Sequence, residues 1–381
     1  MRAGRDGDAV RIYLVGGAVR DRVRGLEPAD LDYVAVGAPP DTAEAELRRR
    51  VPGLTRVGRG IPVFVRGQAQ YTISPFERIE GDLASRDLTI NALAQDEAGC
   101  VIGHPLALAD LRDKVLRPVA VANFLADPLR AVRAARFAAA LPDFAVHGEL
   151  LAAMRAVSPL ALGAVAAERV GQETLKACAG ARPGNFPRVL RDGGCLEPWF
   201  TELAGADAIP AGPPAYHDAS VLEHTARVMD GCAGETVAAW MALCHDLGKT
   251  TTPTTELPHH FGHEERGEIL AETLARRLRL PSRYLSAGRL AARWHMAGGC
   301  YTALRPATRI RMLLALDKAG LLAPFFLLVA ADGGGEHLDR AQRELTVIKT
   351  VVLPEKHRDQ GPKSADILLH LRCEALARLD G

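Results

Sequence analysis

The sequence predicts an α+β chain, a mixed head followed by an all-helical remainder, on three observations. Short apolar runs at residues 12–15, 31–36 and 63–65 are separated by turn residues and helical spacing within the first ~115 residues, the mark of strands interleaved with helices. From "DPLRAVRAARFAAAL" at 127–141 onward such runs stop, and Ala-, Leu- and Arg-rich segments with helical spacing take over. The stretch "ADAIPAGPPAYHDAS" at 206–220, rich in Pro, Gly and Ala and poor in charge, reads as a linker within the helical part. At 381 residues, against a prior of ~100–200 residues per domain, two to four domains are expected. The boundaries that follow are a head over 1–125, a helical neck and body over 126–213, a helical domain over 214–340 and a helical tail over 341–381.

Composition narrows the class. Apolar residues make up 48% and charged residues 24%, and no stretch nears the ~20 consecutive apolar residues of a membrane span, so no membrane partner is expected. The opening "MRAGRDGDAVRI" has neither an apolar run nor a small-residue cleavage site, which reads as a cytoplasmic chain without a secretory leader. Seven cysteines, scattered and without a C-x-x-C pair, fit neither a disulfide framework nor a zinc finger and read as reduced structural thiols. The formal net charge of +1 excludes a globally basic nucleic-acid binder, so a polyanion must be held locally. The arginine runs at 48–50 and between Arg276 and Arg293 read as solvated helix faces.

The first strand runs into "LVGGAVRD". Gly16 and Gly17, ahead of a helical segment, place backbone N–H groups where phosphate oxygens can approach, and Arg20 on that helix can supply charge to a triphosphate. A glycine pair alone is a weak signal. The second strand, in "ADLDYVAVG", carries Asp30 and Asp32; alternate residues share a face, so both carboxylates point one way while Leu31 points to the core. Like charges a pleat apart repel unless a cation lies between them, and Mg²⁺ takes carboxylate oxygens while keeping positions for water and phosphate. A lone D-x-D also suits an exposed strand end; after Gly-Gly and Arg it describes a metal-assisted nucleotidyl-transfer site. Next, "SRDLTINALA" at 85–94 sets Arg86 and Asp87 before a helix that Asp87 also suits as N-cap. Then "DPLRAVRAARF" spaces Asp127, Arg130 and Arg133 at i, i+3 and i+6, within about a third of a helix circumference, with Leu129, Val132 and Ala135 opposite for packing. By itself that pattern is a surface salt bridge.

Taken in order, "LVGGAVRD…DLDYVAVG", "SRDLTINALA", "DPLRAVRAARFAA" and "ERVGQETLK" at 168–176 resemble the class II tRNA nucleotidyltransferase family, the CCA-adding enzymes and their poly(A) polymerase relatives. The resemblance is closest to bacterial members with a C-terminal HD domain and spans nearly the whole chain. It implies a nucleotidyltransferase-type mixed α/β head, a neck and body that select the base and bind RNA, and an HD phosphohydrolase domain. The implied activity is template-independent addition of C, C and A to the tRNA 3′ end from CTP and ATP. In that frame Asp30 and Asp32 are the catalytic Mg²⁺ ligands, and Gly16, Gly17, Arg20, Arg86 and Asp87 hold triphosphate and ribose. Asp127, Arg130 and Arg133 then read the Watson–Crick edge of the base without a template. Two ions ~3.5–4 Å apart are implied, one activating the RNA 3′-hydroxyl and one steadying pyrophosphate. Four departures accompany the resemblance. The segment between Val65 and Arg86 is short and lacks much of a strand and flexible loop; His104 stands where the family has Asp, with a glycine lost from "GHPLALADL"; Ala126 replaces an acid; Ser85 replaces a basic residue. All bear on the C-to-A switch, which in the family relies on mobile elements near these positions.

In the helical domain "LEHTARVMD" places His224 on one helix, and "MALCHDLGK" places adjacent His245 and Asp246 on the next. Imidazole and carboxylate together make a borderline-to-hard divalent site. H…HD-L-G-K is a metal-phosphohydrolase signature, and Asp332 in "LLVAADGGG" matches its closing aspartate. His260, His263 and His295 either complete a second metal, hold phosphate, or are surface histidines. The resemblance implies phosphatase or 2′,3′-cyclic phosphodiesterase activity at a second divalent metal. Rival readings are a poly(A) polymerase, against which the near-neutral charge and the HD pattern argue, and an RNA-binding HD hydrolase whose head has decayed. The chain is expected as a monomer or homodimer.

Overall fold

The structure, a computed structural model, describes residues 10–57, 62–215 and 218–380. The leader reading rests in part on residues 1–9 and the linker reading in part on 216–217, which lie outside the described residues. The chain divides into two compact units, one comprising residues up to 134 together with 143–161, the other 135–142 together with 162 onward. Its class is α+β, as the alternation of short strands and helices followed by helices predicts.

In the first unit β1 (Arg11–Val15), β2 (Leu31–Val36), β3 (Thr55–Val57), β4 (Val63–Arg66), β5 (Ala69–Ile73), β6 (Leu93–Gln95) and β7 (Val101–Gly103) form one sheet in the spatial order β3-β4-β5-β2-β1-β6-β7. β2 and β5 run parallel; the other neighbours are antiparallel. The helices α1 (Gly17–Val23), α2 (Pro40–Arg50) and α3 (Ile79–Ala84) are set by the period-2 alternation of the central strands. Tyr13, Val15, Val34 and Val36 fill one face with Ile79 and Leu83 of α3, whereas Ala35 packs on the other with Val10 and with Ala43 of α2. The chain continues through α4 (Ala107–Arg112), α5 (Val121–Ala126), α6 (Leu129–Ala140) and α7 (Gly148–Arg155).

Strand pairing does not end with the head's expected strands. β8 (Val115–Leu116) pairs in parallel with β9 (Ala145–Val146), beyond the point where the sequence reading has strands stop. A two-residue strand carries no period, so nothing in the pattern announces it. The helix expected after Asp87 is also replaced: residues 89–91 make one 3₁₀ turn and the chain then enters β6.

The second unit is helical. After α8 (Pro159–Gly163) come α9 (Ala167–Cys178), α10 (Asn185–Asp192), α11 (Val221–Gly231), α12 (Thr236–Cys244), α13 (His263–Arg277), α14 (Ser282–Gly299), α15 (Pro306–Ala319), α16 (Leu322–Ala331), α17 (Leu338–Thr350) and α18 (Pro362–Asp380). α12 is apolar all round because it is the buried centre, touching α9, α11, α14 and α16. The arginine runs lie on paired faces: Arg48 and Arg50 meet Glu44 and Glu46, while Arg276, Arg289 and Arg293 meet Glu272, Glu268 and Glu265. Among the described residues no helix is long and apolar enough to cross a membrane.

Candidate functional site

Two constellations of polar side chains stand out, one in each unit. In the first unit the sheet register sets the glycine pair beside the acidic strand end, because Val15, the residue before Gly16, pairs with Asp32. Asp30 lies on the bend before β2 rather than on the strand, so the alternation argument governs Asp32 alone, which shares the face of Val34 and Val36. Both carboxylates are exposed. Hard oxygen donors at an open strand end suit Mg²⁺.

Gly16 adopts φ 68°, ψ −129°, a region side chains avoid, and a Cβ there would lie 2.8 Å from Arg86 Nη1. From this turn a polar chain runs through the unit. Arg20 Nη1 donates to Asn91 Oδ1 at 2.8 Å, Asn91 Nδ2 donates to Asp87 Oδ1 at 3.1 Å, and Arg133 Nε and Nη2 donate to Asp87 Oδ2 at 2.9 and 2.7 Å. Arg86 joins this chain through Nη1, which donates to Asn91 O at 3.3 Å, and is held by Nε and Nη2 on Asp82 Oδ2 at 3.1 and 2.9 Å. Burial would raise the Asp87 carboxyl, but the Arg133 guanidinium facing it, by charge and by hydrogen bond, holds it below the ordinary carboxylate range. Asn91 and Asp82 are the members that sequence reasoning missed. The available signals were a polar residue four after Asp87 and an acid four before Arg86.

Asp127 caps the C-terminus of α5, whereas Arg130 and Arg133 lie on α6, whose Leu129, Val132 and Ala135 are buried as the spacing predicts. Arg130 lies within the fields of Asp87, Asp127, Arg133 and Arg86; burial lowers its pKa against the pull of the two carboxylates. Its Nη1 is buried without a hydrogen-bond partner. A cation with an unspent buried donor offers a place to a ligand's acceptor. At the departures from the family pattern, His104 Nδ1 accepts from the Leu106 N–H at 3.2 Å, and Ser85 Oγ donates to Asp82 O at 2.7 Å. Ala126 is exposed. Across the short segment, β4 and β5 join through Gly67 and Gln68 into a continuous sheet.

The second unit gathers histidines from α11, α13 and α14 around the end of α12. His224, His245 and Asp332 offer ligand atoms within 4.8 Å of one another, and so do Asp246, His263 and His295. Asp246 joins the two groups: Oδ2 lies 3.3 Å from His224 Nε2 and 3.2 Å from His245 Nε2, and Oδ1 lies 3.3 Å from His295 Nε2 and 3.6 Å from His263 Nε2. The Nδ1–H groups of His245 and His263 donate to the Ala242 and His260 carbonyls at 2.7 Å each, and His295 Nδ1–H donates to Ala292 O at 3.0 Å. In neutral rings this leaves the Nε2 lone pairs aimed inward, as in metal-binding imidazoles.

In one such pair His263 Nε2 faces His295 Nε2 at 3.1 Å, while His245 Nε2 faces His224 Nε2 at 3.3 Å, the latter also 3.1 Å from Asp332 Oδ1. Facing lone pairs need a proton or a metal ion between them. Neither oxygen of Asp246, fully buried, has a well-aligned hydrogen bond, although Lys249 Nζ lies 2.8 Å from Oδ2. The donor set therefore fits divalent cations. Electrostatics agree. Burial would raise Asp246, but the charges of His245 and Lys249 hold it far below the carboxylate range. Burial would depress His224, but hydrogen bonds to Asp246 and Asp332 push it up to about 9. His260 stands apart, its ring nitrogens bonded to Thr252 Oγ1 and Pro210 O at 2.8 Å each. Lys249, whose Nζ also donates to Ala211 O at 2.8 Å, is marked in the sequence only by its place in the H-D-L-G-K run.

Residues 12–76 match the Poly A polymerase head domain. The multifunctional CCA protein of Azoarcus sp. (strain BH72) is 37% identical over 355 residues, 87% of this chain and 84% of its own length. That of Dechloromonas aromatica (strain RCB) is 39% identical over 312 residues, 75% of this chain and 74% of its own. Among solved structures, the Bacillus stearothermophilus CCA-adding enzyme in complex with CTP has a TM-score of 0.66 at 22% identity, covering 96% of this chain and 88% of that one. The Thermotoga maritima CCA-adding enzyme complexed with tRNA_CCA has a TM-score of 0.59 at 18% identity, covering 97% and 92%. At those identities the structural likeness establishes the shared fold. The sequence likeness does more, since 37% identity along 87% of the chain has to span both units, and the chain belongs to the family of multifunctional CCA proteins.

Proposed function

We propose that the chain adds C, C and A to the 3′ end of tRNA from CTP and ATP without a nucleic-acid template, and that its helical unit hydrolyses phosphoesters at RNA 3′ ends. The observation that carries the first activity is the polar chain from Arg20 through Asn91 and Asp87 to Arg133, next to the unpartnered Arg130 Nη1. In this reading Asp30 and Asp32 hold Mg²⁺, which when bound neutralises the triphosphate and acidifies the attacking hydroxyl. Arg20 and Arg86 add charge against the phosphates from beside the Gly16 turn. Asp87 fixes the Arg133 fork, so that Arg130 and Arg133 present donors while Asp127 presents an acceptor. Cytosine and adenine each show an amino donor beside a ring-nitrogen acceptor on the Watson–Crick edge. Guanine and uracil reverse that order, so one donor beside one acceptor selects the first pair.

For the helical unit, the two ligand groups sharing Asp246 support one or two divalent ions, which when bound acidify water near neutral pH. His245, His263 and His295 are held by backbone carbonyls in the tautomer that binds metal, and Lys249 places a cation where a phosphate would enter. A cytoplasmic monomer or homodimer that clears a 2′,3′-cyclic phosphate before adding CCA would join the two activities. That coupling fails if His245→Ala leaves processing of a tRNA with a 2′,3′-cyclic phosphate unchanged.

The test of addition uses Mg²⁺ and a tRNA transcript lacking its last three nucleotides, with CTP, ATP or both, resolved at single-nucleotide length. Two additions with CTP and a third only with ATP present support the reading. A ladder of A supports poly(A) polymerase, the alternative favoured by the head-domain match alone. No extension leaves the helical unit as the working site.

A further inference from the structure

The cleft over the imidazole–carboxylate cluster has a volume of about 540 Å³, within the range of small-ligand pockets, and its lining changes character from floor to rim. The floor is charged, with His224, Asp246, Lys249 and Asp332. The rim is apolar and aromatic, with His259, Phe261 and Met296. Phe261 is 72% exposed and Met296 50%, unusual for large apolar side chains on the same lip. The Phe261 ring lies nearly parallel to that of His259, centroids 5.7 Å apart and planes 12° off.

A loose loop does not account for this exposure, because the segment carrying both rings is tied down. Arg266 Nη1 donates to Phe261 O at 2.7 Å, and its Nε and Nη2 donate to Thr251 Oγ1 and Thr252 Oγ1 at 3.1 Å each. Between the two rings, His260 points inward and bonds Thr252 and Pro210. The loop is thus shaped in advance around an outward-facing pair of rings, at the lip of a cleft whose floor would draw a phosphate once it holds the divalent cation that its donor set fits.

An aromatic face beside a phosphate-sized charged floor matches one ligand chemistry, a nucleoside phosphate. We propose that Phe261 and His259 form a stacking platform for the nucleobase of a nucleoside phosphate whose phosphate enters the cluster of His224, Asp246 and Lys249. The phosphate end of this proposal rests on the hydrolase reading of that cluster. Stacking on an aromatic ring tolerates any base, so the platform sets a requirement for a base rather than a sequence preference. A free nucleotide and the terminal nucleotide of an RNA share this chemistry.

The test uses the full chain with divalent metal and three substrates: 2′,3′-cyclic AMP, a tRNA ending in a 2′,3′-cyclic phosphate, and glycerol 1,2-cyclic phosphate, which has the reacting group without a base. Binding of 2′-AMP is followed by calorimetric titration, so that the platform has a readout independent of turnover. Phe261→Ala should raise KM for a base-bearing substrate and weaken 2′-AMP binding by about 5- to 150-fold, the loss expected for one base stack, and Phe261→Trp should restore both. Hydrolysis of glycerol 1,2-cyclic phosphate should stay at the wild-type rate. A loss confined to the mononucleotide identifies free nucleotides as the source, and one confined to the tRNA identifies the RNA end; either supports the platform. An equal loss on the base-free substrate, or none on any substrate and none in binding, overturns it. Wild-type protein that hydrolyses nothing yet binds 2′-AMP in a Phe261-dependent manner removes the hydrolase reading and keeps the platform.

Discussion

Gly16 meets two constraints at once, a backbone conformation with φ 68° and an Arg86 Nη1 that stands where a Cβ would go. Gly16→Ala should cost about 1–3 kcal/mol and displace Arg86, which lowers CTP incorporation along with the melting temperature. Gly17 is different, since a Cβ there would meet Arg20 Nη2 at an ordinary 3.5 Å. Gly17→Ala should therefore melt like wild type, and paired thermal melts of the two variants check the distinction. Asp32 poses the opposite case, exposed and so cheap to remove for the fold. Asp32→Ala should leave stability within about 0.5 kcal/mol while nucleotide addition falls at least ~10²-fold. Retained addition would sink the assignment of the strand-end carboxylates. Both residues were legible in the sequence, because glycine doublets and like-charged alternation are local signals. Asn91 was not: its role depends on Arg20 and Asp87 reaching it from two sides, and no local spacing encodes that meeting.

At the scale of elements, β1 and β2 could be read from their period, and their register then brought Asp32 to the glycine turn. The β8–β9 pair and the 3₁₀ turn at 89–91 could not, since neither runs beyond a single repeat of its own period. Asp246, His263 and His295 could each be named from the sequence, but not their meeting. Asp246 is marked by the H-D-L-G-K run, but His263 and His295 reach it only because α13 and α14 pack together. The tie between the 85–94 segment and α6 is the Asp87–Arg133 pair, and it makes an element-level prediction about pH. The folded Asp87 carboxyl sits below its unfolded value of about 3.9, so its contribution is complete above that pH and is lost as pH falls through the lower folded value. Melting of the full chain between pH 6 and pH 3 should thus show an acid-side loss that Asp87→Asn diminishes, since that variant has already forfeited on the order of 1–3 kcal/mol at neutral pH. An acid-side slope unchanged in Asp87→Asn would show that other carboxylates govern it.

The whole molecule separates its polar chemistry into two compact units, and each constellation lies within one of them. Hence the two should respond independently to metal and to mutation. In the helical unit, the facing Nε2 atoms of His263 and His295 and the unsatisfied oxygens of Asp246 leave a buried cluster that a divalent ion would stabilise. Ligand binding to the folded state alone contributes RT ln(1 + [L]/Kd), about 2.7 kcal/mol at a hundredfold excess over Kd, which for a unit of this size raises melting by roughly 5–10 °C. Asp246→Asn keeps the shape of the side chain but removes the charge that serves both ligand groups. Calorimetry of the chelator-treated full chain, titrated with Mg²⁺, Mn²⁺, Ni²⁺ or Zn²⁺, should show this rise in wild type and in Asp32→Ala, and not in Asp246→Asn. Addition of C, C and A by Asp246→Asn should at the same time match wild type. A metal-dependent rise that survives Asp246→Asn would mean that the ion binds elsewhere, and a loss of CCA addition in that variant would mean that the units do not act separately.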